Sequence, residues 1–295
     1  MIRLVVVDGD VTCTSEVHIT GSLKATGDIY LTNDCTIDGD VSTAKKLTMN
    51  SKAKIGGNVN AGGAVILQKT VRIAGNVICG VSVSSIDGTS LDKLKVDGTI
   101  AQNAVVVLDS SPKFEGAQFA TSKTGFSSKT WSAWLNATAQ SNSAPSWSPA
   151  LTPKPGCVMA PSSASVNGPV VAISQDTIVD ARRTTTGCSS VKLQGMTVSL
   201  SGDLVLYADS IEALSGTKFN SADGQQHSVD LVVPGSSVAC QEGAITLASN
   251  TATDSKTTLK VVTPGTLSIN GPTTINARGD VGCFKATGAV TVHNE

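Results

Sequence analysis

From Gly9 to Gly80 the chain divides without a gap into twelve segments of six residues, and this repeat narrows the choice of fold more than any other feature. The third place of the hexad reads Val11, Val17, Leu23, Ile29, Cys35 and Val41, then continues through Leu47, Ala53, Val59, Val65 and Val71 to Val77. The fifth place runs from Cys13 and Ile19 to Ile73 and Cys79, again aliphatic or small, with polar residues between. Two alternating apolar positions make a strand of about three residues. The first place, dominated by Gly, supplies the bend. Twelve such strands joined by short bends fit no compact sheet unless the chain coils on itself. Similarity is clearest at eighteen residues, where Gly21, Gly39, Gly57 and Gly75 recur, as do Ile19, Ile37, Ile55 and Ile73. The expected fold is therefore all-β: a parallel β-helix (β-solenoid) with 18-residue triangular rungs spaced at roughly 4.8 Å. The crossover rule makes it right-handed.

The register slips once after Gly80, where a corner loop around Asp87 to Asp92 has grown, and resumes at Asp97-Gly98-Thr99-Ile100. Residues 1–109 form the regular solenoid, 110–168 a Ser/Thr/Pro/Trp-rich insertion, and 169–295 an irregular continuation. Within the insertion Trp131, Trp134, Leu135 and Thr138 follow Ser128 at helical spacing, which predicts a short amphipathic helix. The alternative is glycan stacking on Trp131, Trp134 or Trp147. Later, Leu231-Val232-Val233-Pro234-Gly235 and Val261-Val262-Thr263-Pro264-Gly265 end alike thirty residues apart, as larger rungs would.

Composition agrees with a narrow core. Aromatics are 3 % and charged residues 15 %, whereas Ser and Thr together number 68. A net charge of -1 and a pI near 6.3 exclude the basic footprint of nucleic-acid binding. There is no membrane-length apolar run, and the start is too short for a signal peptide, so an export signal is expected outside this chain.

The seven Cys show neither CxxC nor zinc spacing, and neither a metal nor a cofactor is expected. Cys13, Cys35 and Cys79 fall on inward hexad places. Cys35 sits one rung from Val17, which lies around the corner from Cys13, so a Cys13–Cys35 disulfide is geometrically open. Cys157 with Cys188 and Cys240 with Cys283 are candidate braces of the irregular half. Loop cysteines in such a chain suit an extracellular setting, with the cytoplasm as the alternative.

Catalytic chemistry is weakly signalled, and no catalytic residue is assigned. His18, His227 and His293 are scattered; Ser221, His227 and Asp230 make a triad only on paper. A polysaccharide lyase would want an acidic cluster, and Asp8, Asp10 and Asp28 with Arg3 are the one such group. A left-handed hexad acyltransferase would place small residues where Val17, Leu23 and Ile29 stand. Arg278-Gly279-Asp280 spells an integrin-read tripeptide, and Asn136-Ala137-Thr138 a sequon, both common by chance in such a composition.

Gly27-Asp28-Ile29-Tyr30-Leu31 and Ile73-Ala74-Gly75-Asn76-Val77 resemble the repeats of bactofilins and other polymer-forming bacterial proteins, over roughly residues 4 to 109. That resemblance implies triangular solenoids associating end to end without nucleotide. Ser201-Gly202-Asp203-Leu204-Val205, Ser228 to Gly235 and Val262 to Ile269 resemble exported parts of actinobacterial surface and pilus-associated proteins. Together they imply a non-enzymatic structural or adhesive cell-surface protein, a rigid spacer or self-assembling unit. A carbohydrate-binding or polysaccharide-acting β-helix is the alternative, and a cytosolic scaffold the third. The first rung, Val5 to Val7 and Val11 to Cys13, has no polar cap in sequence and is expected to be an open edge for self-association or for a preceding segment. Cell-surface glycans and pilus components are further candidate partners.

Overall fold

The structure, a computed structural model, describes residues 4–107, 125–130, 157–159, 170–182, 190–193, 195–234 and 240–293. Their strands form one parallel sheet wound around one main hydrophobic core, with a second, smaller cluster of Val205, Tyr207, Val232 and Val262 and one 3-10 turn at Leu91–Lys93 in the enlarged corner. The hexads behave as their pattern requires. Every third- and fifth-place residue from Val11 to Cys79 is buried. Thr43, the polar one, donates its hydroxyl to the Gly27 carbonyl. Strands one rung apart pair at an offset of eighteen residues, as Leu23 with Val41 and Val41 with Val59.

Glycine serves a different purpose from the one its place in the repeat suggests. A Cβ on Gly57 would lie 2.4 Å from Asp40 Oδ1 and 2.7 Å from the Gly39 carbonyl carbon, and Gly27, Gly39 and Gly75 are equally confined. The residue is small because corners of successive rungs touch there. Left-handed backbone falls instead on the pairs Ser15/Glu16, Asn33/Asp34 and Ser51/Lys52 at another corner.

The C-terminal part continues the same stack but not in chain order. On one face the strands run Ser127–Thr130, Thr177–Asp180, Leu204–Tyr207 and His227–Val232, followed by parts of Thr257–Asn270 and Thr273–Thr287. Only then come Leu4–Val7, Ser22–Ala25, Val41–Thr43, Val59–Ala61, Val77–Cys79 and Ile100–Ala101. Twelve strands at about 4.8 Å make a rod roughly 50 Å long. The last rung thus sits on the first: Val7 pairs with Val281, Val11 with Phe284 and His18 with Thr291. Asp8 N–H donates to the Val281 carbonyl at 2.7 Å, and Phe284 N–H to the Asp10 carbonyl at 3.1 Å.

This corrects the expected open edge at Val5, Val7, Val11 and Cys13. Both sides of these strands are paired within the chain, and Val7, Val11 and Cys13 are buried. The partner is the chain's own C-terminal coil, because parallel strands of equal pitch dock on one another whatever their order in sequence. The insertion also needs revision. Its Ser127–Thr130 and Cys157–Met159 are strands of the outermost described rung, so Ser128 lies within a strand and not at the start of a helix. Residues 131–156, with Trp131, Trp134, Trp147 and the sequon, lie outside the described residues. The thirty-residue offset is real: Leu231 pairs with Val261 in register.

Candidate functional site

Among the described residues two of the expected disulfides are present. Cys13–Cys35 joins neighbouring corners with Cα atoms 6.1 Å apart, and Cys240–Cys283 ties a corner loop to the final coil at 5.0 Å. Cys283 borders the junction, since a Cβ on Gly9 would meet its Sγ at 2.9 Å and that of Cys240 at 3.0 Å. Cys79 is a buried free thiol, and burial pushes its pKa up. The Cys157 side chain and Cys188 lie outside the described residues.

The acidic group that a lyase would need turns out to be corner architecture. Asp10 Oδ1 accepts the Asp28 N–H at 2.7 Å, and Asp28 Oδ1 accepts the Lys46 N–H at 3.0 Å while Oδ2 lies 3.7 Å from Lys46 Nζ. A second corner repeats the device. Ser22 Oγ takes the Asp40 N–H, Asp40 Oδ1 the Asn58 N–H, Asn58 Oδ1 the Asn76 N–H, and Asn76 Oδ1 the Thr99 N–H, all at 2.7–3.0 Å. Each side chain satisfies a backbone donor one rung along, where the bend turns the N–H away from the sheet ladder. Asp8 Oδ1 accepts the Thr26 hydroxyl, and Arg3 lies outside the described residues. His18 is likewise structural, its Nε2 2.9 Å from Asp38 Oδ1 on the outer surface.

The paper triad does not assemble. Ser221 Oγ donates to Asp223 Oδ1 at 3.2 Å, and the same carboxylate oxygen lies 2.8 Å from His227 Nε2. The Gln225 N–H and then His227 hold the Asp223 carboxyl below the usual carboxylate range. Asp230 faces elsewhere, fully buried, 3.6 Å from Lys260 Nζ. His227 does border a cleft of about 260 Å³ on the outside of the rod, together with Asp203, Gln226, Ser228, Thr258 and Lys260. Arg278 closes its far side.

The cleft follows from register. Asp230, Lys260 and Arg278 occupy one outward column on three successive rungs, so one cation follows another along the axis. Asp230 balances Lys260; Arg278 is exposed and has no ion-pair partner among the described residues. Ser228 forms the floor. Its N–H donates to Asp203 Oδ1 at 2.7 Å, but its Oγ, in a residue only 6 % exposed, makes no hydrogen bond. Sequence reasoning missed this group, although the offset aligning Leu231 with Val261 also sets Asp230 beside Lys260. Arg278-Gly279-Asp280 lies mid-strand, all three paired with Lys260–Val262 and Asp280 also with Val6, rather than on a projecting loop.

Among the described residues no three His, Cys, Asp or Glu side chains are grouped to hold a metal ion, and no helix is long and apolar enough to cross a membrane. No protein-family model matches the chain, and no curated protein does. Among solved structures, an ice binding protein from an Antarctic bacterium, Flavobacteriaceae, aligns with all of this chain and 80 % of its own at 9 % identity and a TM-score of 0.20. A likeness that weak carries no functional argument.

Proposed function

We propose that the chain is a non-enzymatic structural or adhesive protein of the bacterial surface, its solenoid acting as a rigid spacer. The observation that carries this reading is the parallel ladder running unbroken through the junction of the two halves, Val11 pairing with Phe284 on one side and Ile29 on the other. A ladder of this kind resists bending because every rung is hydrogen-bonded to both neighbours. The two disulfides favour an oxidising compartment. With the first rung occupied, a filament of such rods would run through the outermost described rungs, Ser127–Thr130 at one end and Ile100–Ala101 at the other, in head-to-tail contacts.

Thiol counting on denatured but unreduced protein from its native source tests the compartment. Two disulfides consume four of the seven Cys, leaving at most three reactive. Seven reactive thiols would remove the surface assignment. Small-angle scattering tests the spacer: a rod with a single fixed length is expected, and a broad spread of lengths would refute it.

A further inference from the structure

We infer that the cleft between Ser228 and Arg278 is a binding site for an acidic sugar, a uronate held by its carboxylate at Arg278 and by its hydroxyls at the floor. Three features set its chemistry. Arg278 offers an exposed guanidinium with no ion-pair partner among the described residues, a fork suited to a carboxylate. Ser228 Oγ is buried and makes no hydrogen bond, and a buried hydroxyl left so is costly unless something outside the chain completes it. Asp203, which spends Oδ1 on the Ser228 N–H and has His227 Nδ1 3.8 Å away, brings an acceptor carboxylate into the same cleft.

That last feature separates ligand classes. A bare oxyanion drawn to Arg278 would be repelled by Asp203 and would offer that carboxylate no donor. A neutral sugar would satisfy Ser228 and Asp203 but leave Arg278 unmatched. A ligand with a carboxylate at one end and hydroxyl donors at the other meets both, with Gln226 and Thr258 as further hydrogen-bonding groups. The volume of about 260 Å³ suits one monosaccharide unit, and the shallow outer position leaves room for the rest of a glycan.

The test is an NMR titration of the full chain with sodium glucuronate and sodium galacturonate, alongside glucose, sodium sulfate and glycine. Saturable binding of at least one uronate is expected, with glucose and sulfate weaker by about tenfold or more. Arg278→Gln should weaken the uronate by a similar factor, and Ser228→Ala should weaken it without lowering the melting temperature. The proposal is overturned if no uronate saturates, if Arg278→Gln or Ser228→Ala binds as the parent does, or if glucose, sulfate or glycine binds as tightly. Those outcomes leave the rod assignment untouched, since neither residue contributes to the core.

Discussion

Gly9 lies directly against the last coil at its junction with the first, and Gly9→Ala tests how the two halves are joined. A Cβ there would stand 2.2 Å from the Gly282 carbonyl oxygen and 2.9 and 3.0 Å from the sulfurs of Cys283 and Cys240. Carbon and carbonyl oxygen do not normally approach closer than about 3.3 Å, so the rungs must part by roughly 1 Å. The backbone bonds flanking this point, Asp8 N–H to Val281 and Phe284 N–H to Asp10, measure 2.7 and 3.1 Å and would stretch beyond useful length. Each lost bond costs about 1 kcal/mol, and a donor left dry about 1–3 kcal/mol, so the expected destabilisation is roughly 2–5 kcal/mol. Gly279→Ala is the control. Its Cβ would meet nothing closer than Val281 Cγ1 at 3.4 Å, so the change should be neutral or stabilise by about 0.5 kcal/mol. Urea unfolding followed by circular dichroism, comparing midpoints at unchanged slope, reads both. Equal midpoints for the parent and Gly9→Ala, or equal losses in the two variants, would refute docking of the last coil on the first.

Three further outcomes follow from the corners and the cysteines. Replacing Cys13 and Cys35 together by Ser should lower stability by about 3 kcal/mol, and the Cys240–Cys283 pair by about 4 kcal/mol, from loops of 22 and 43 residues, measured as unfolding midpoints without reductant. Asp40→Ala should cost about 1 kcal/mol by stranding the Asn58 N–H, while Asp40→Asn keeps an acceptor and most of the stability. Hydrogen bonds from Ser85 and Thr89 hold the Asp87 carboxyl well below its ordinary range. Because the folded pKa is the lower one, that support is complete above about pH 4 and is lost as pH falls through the folded value. Amide exchange at Lys69 and Thr89, whose N–H groups Asp87 accepts, should quicken only in strong acid.

The regular coil was legible because a rung has only a few inward places, and the hexads fill each with an aliphatic or small residue down to Cys79. The Cys13–Cys35 pairing was legible for the same reason, since rung geometry converts sequence offset into distance, whereas Cys240–Cys283 was suggested only by the loop positions of its two members. The order of the rungs was not. Strand edges of one pitch are interchangeable, so nothing in Val11-Thr12-Cys13 distinguishes Ile29-Tyr30-Leu31 from Phe284-Lys285-Ala286 as a neighbour. Gly9 and Gly282 mark the junction, but each reads as one more corner glycine. The Ser228–Arg278 cleft escaped because its members, from Asp203 to Arg278, lie on four rungs of unequal length, and only the Leu231/Val261 offset hints at their alignment.

Docking the last coil on the first places residue 4 and residue 293 side by side near the middle of the rod, with further rungs above and below. Any segment joined before the one or after the other would leave from the waist. A molecule tethered there stands like a crossbar, its described end rungs facing opposite ways, so it could touch two neighbours at once while its anchor stays clear of both.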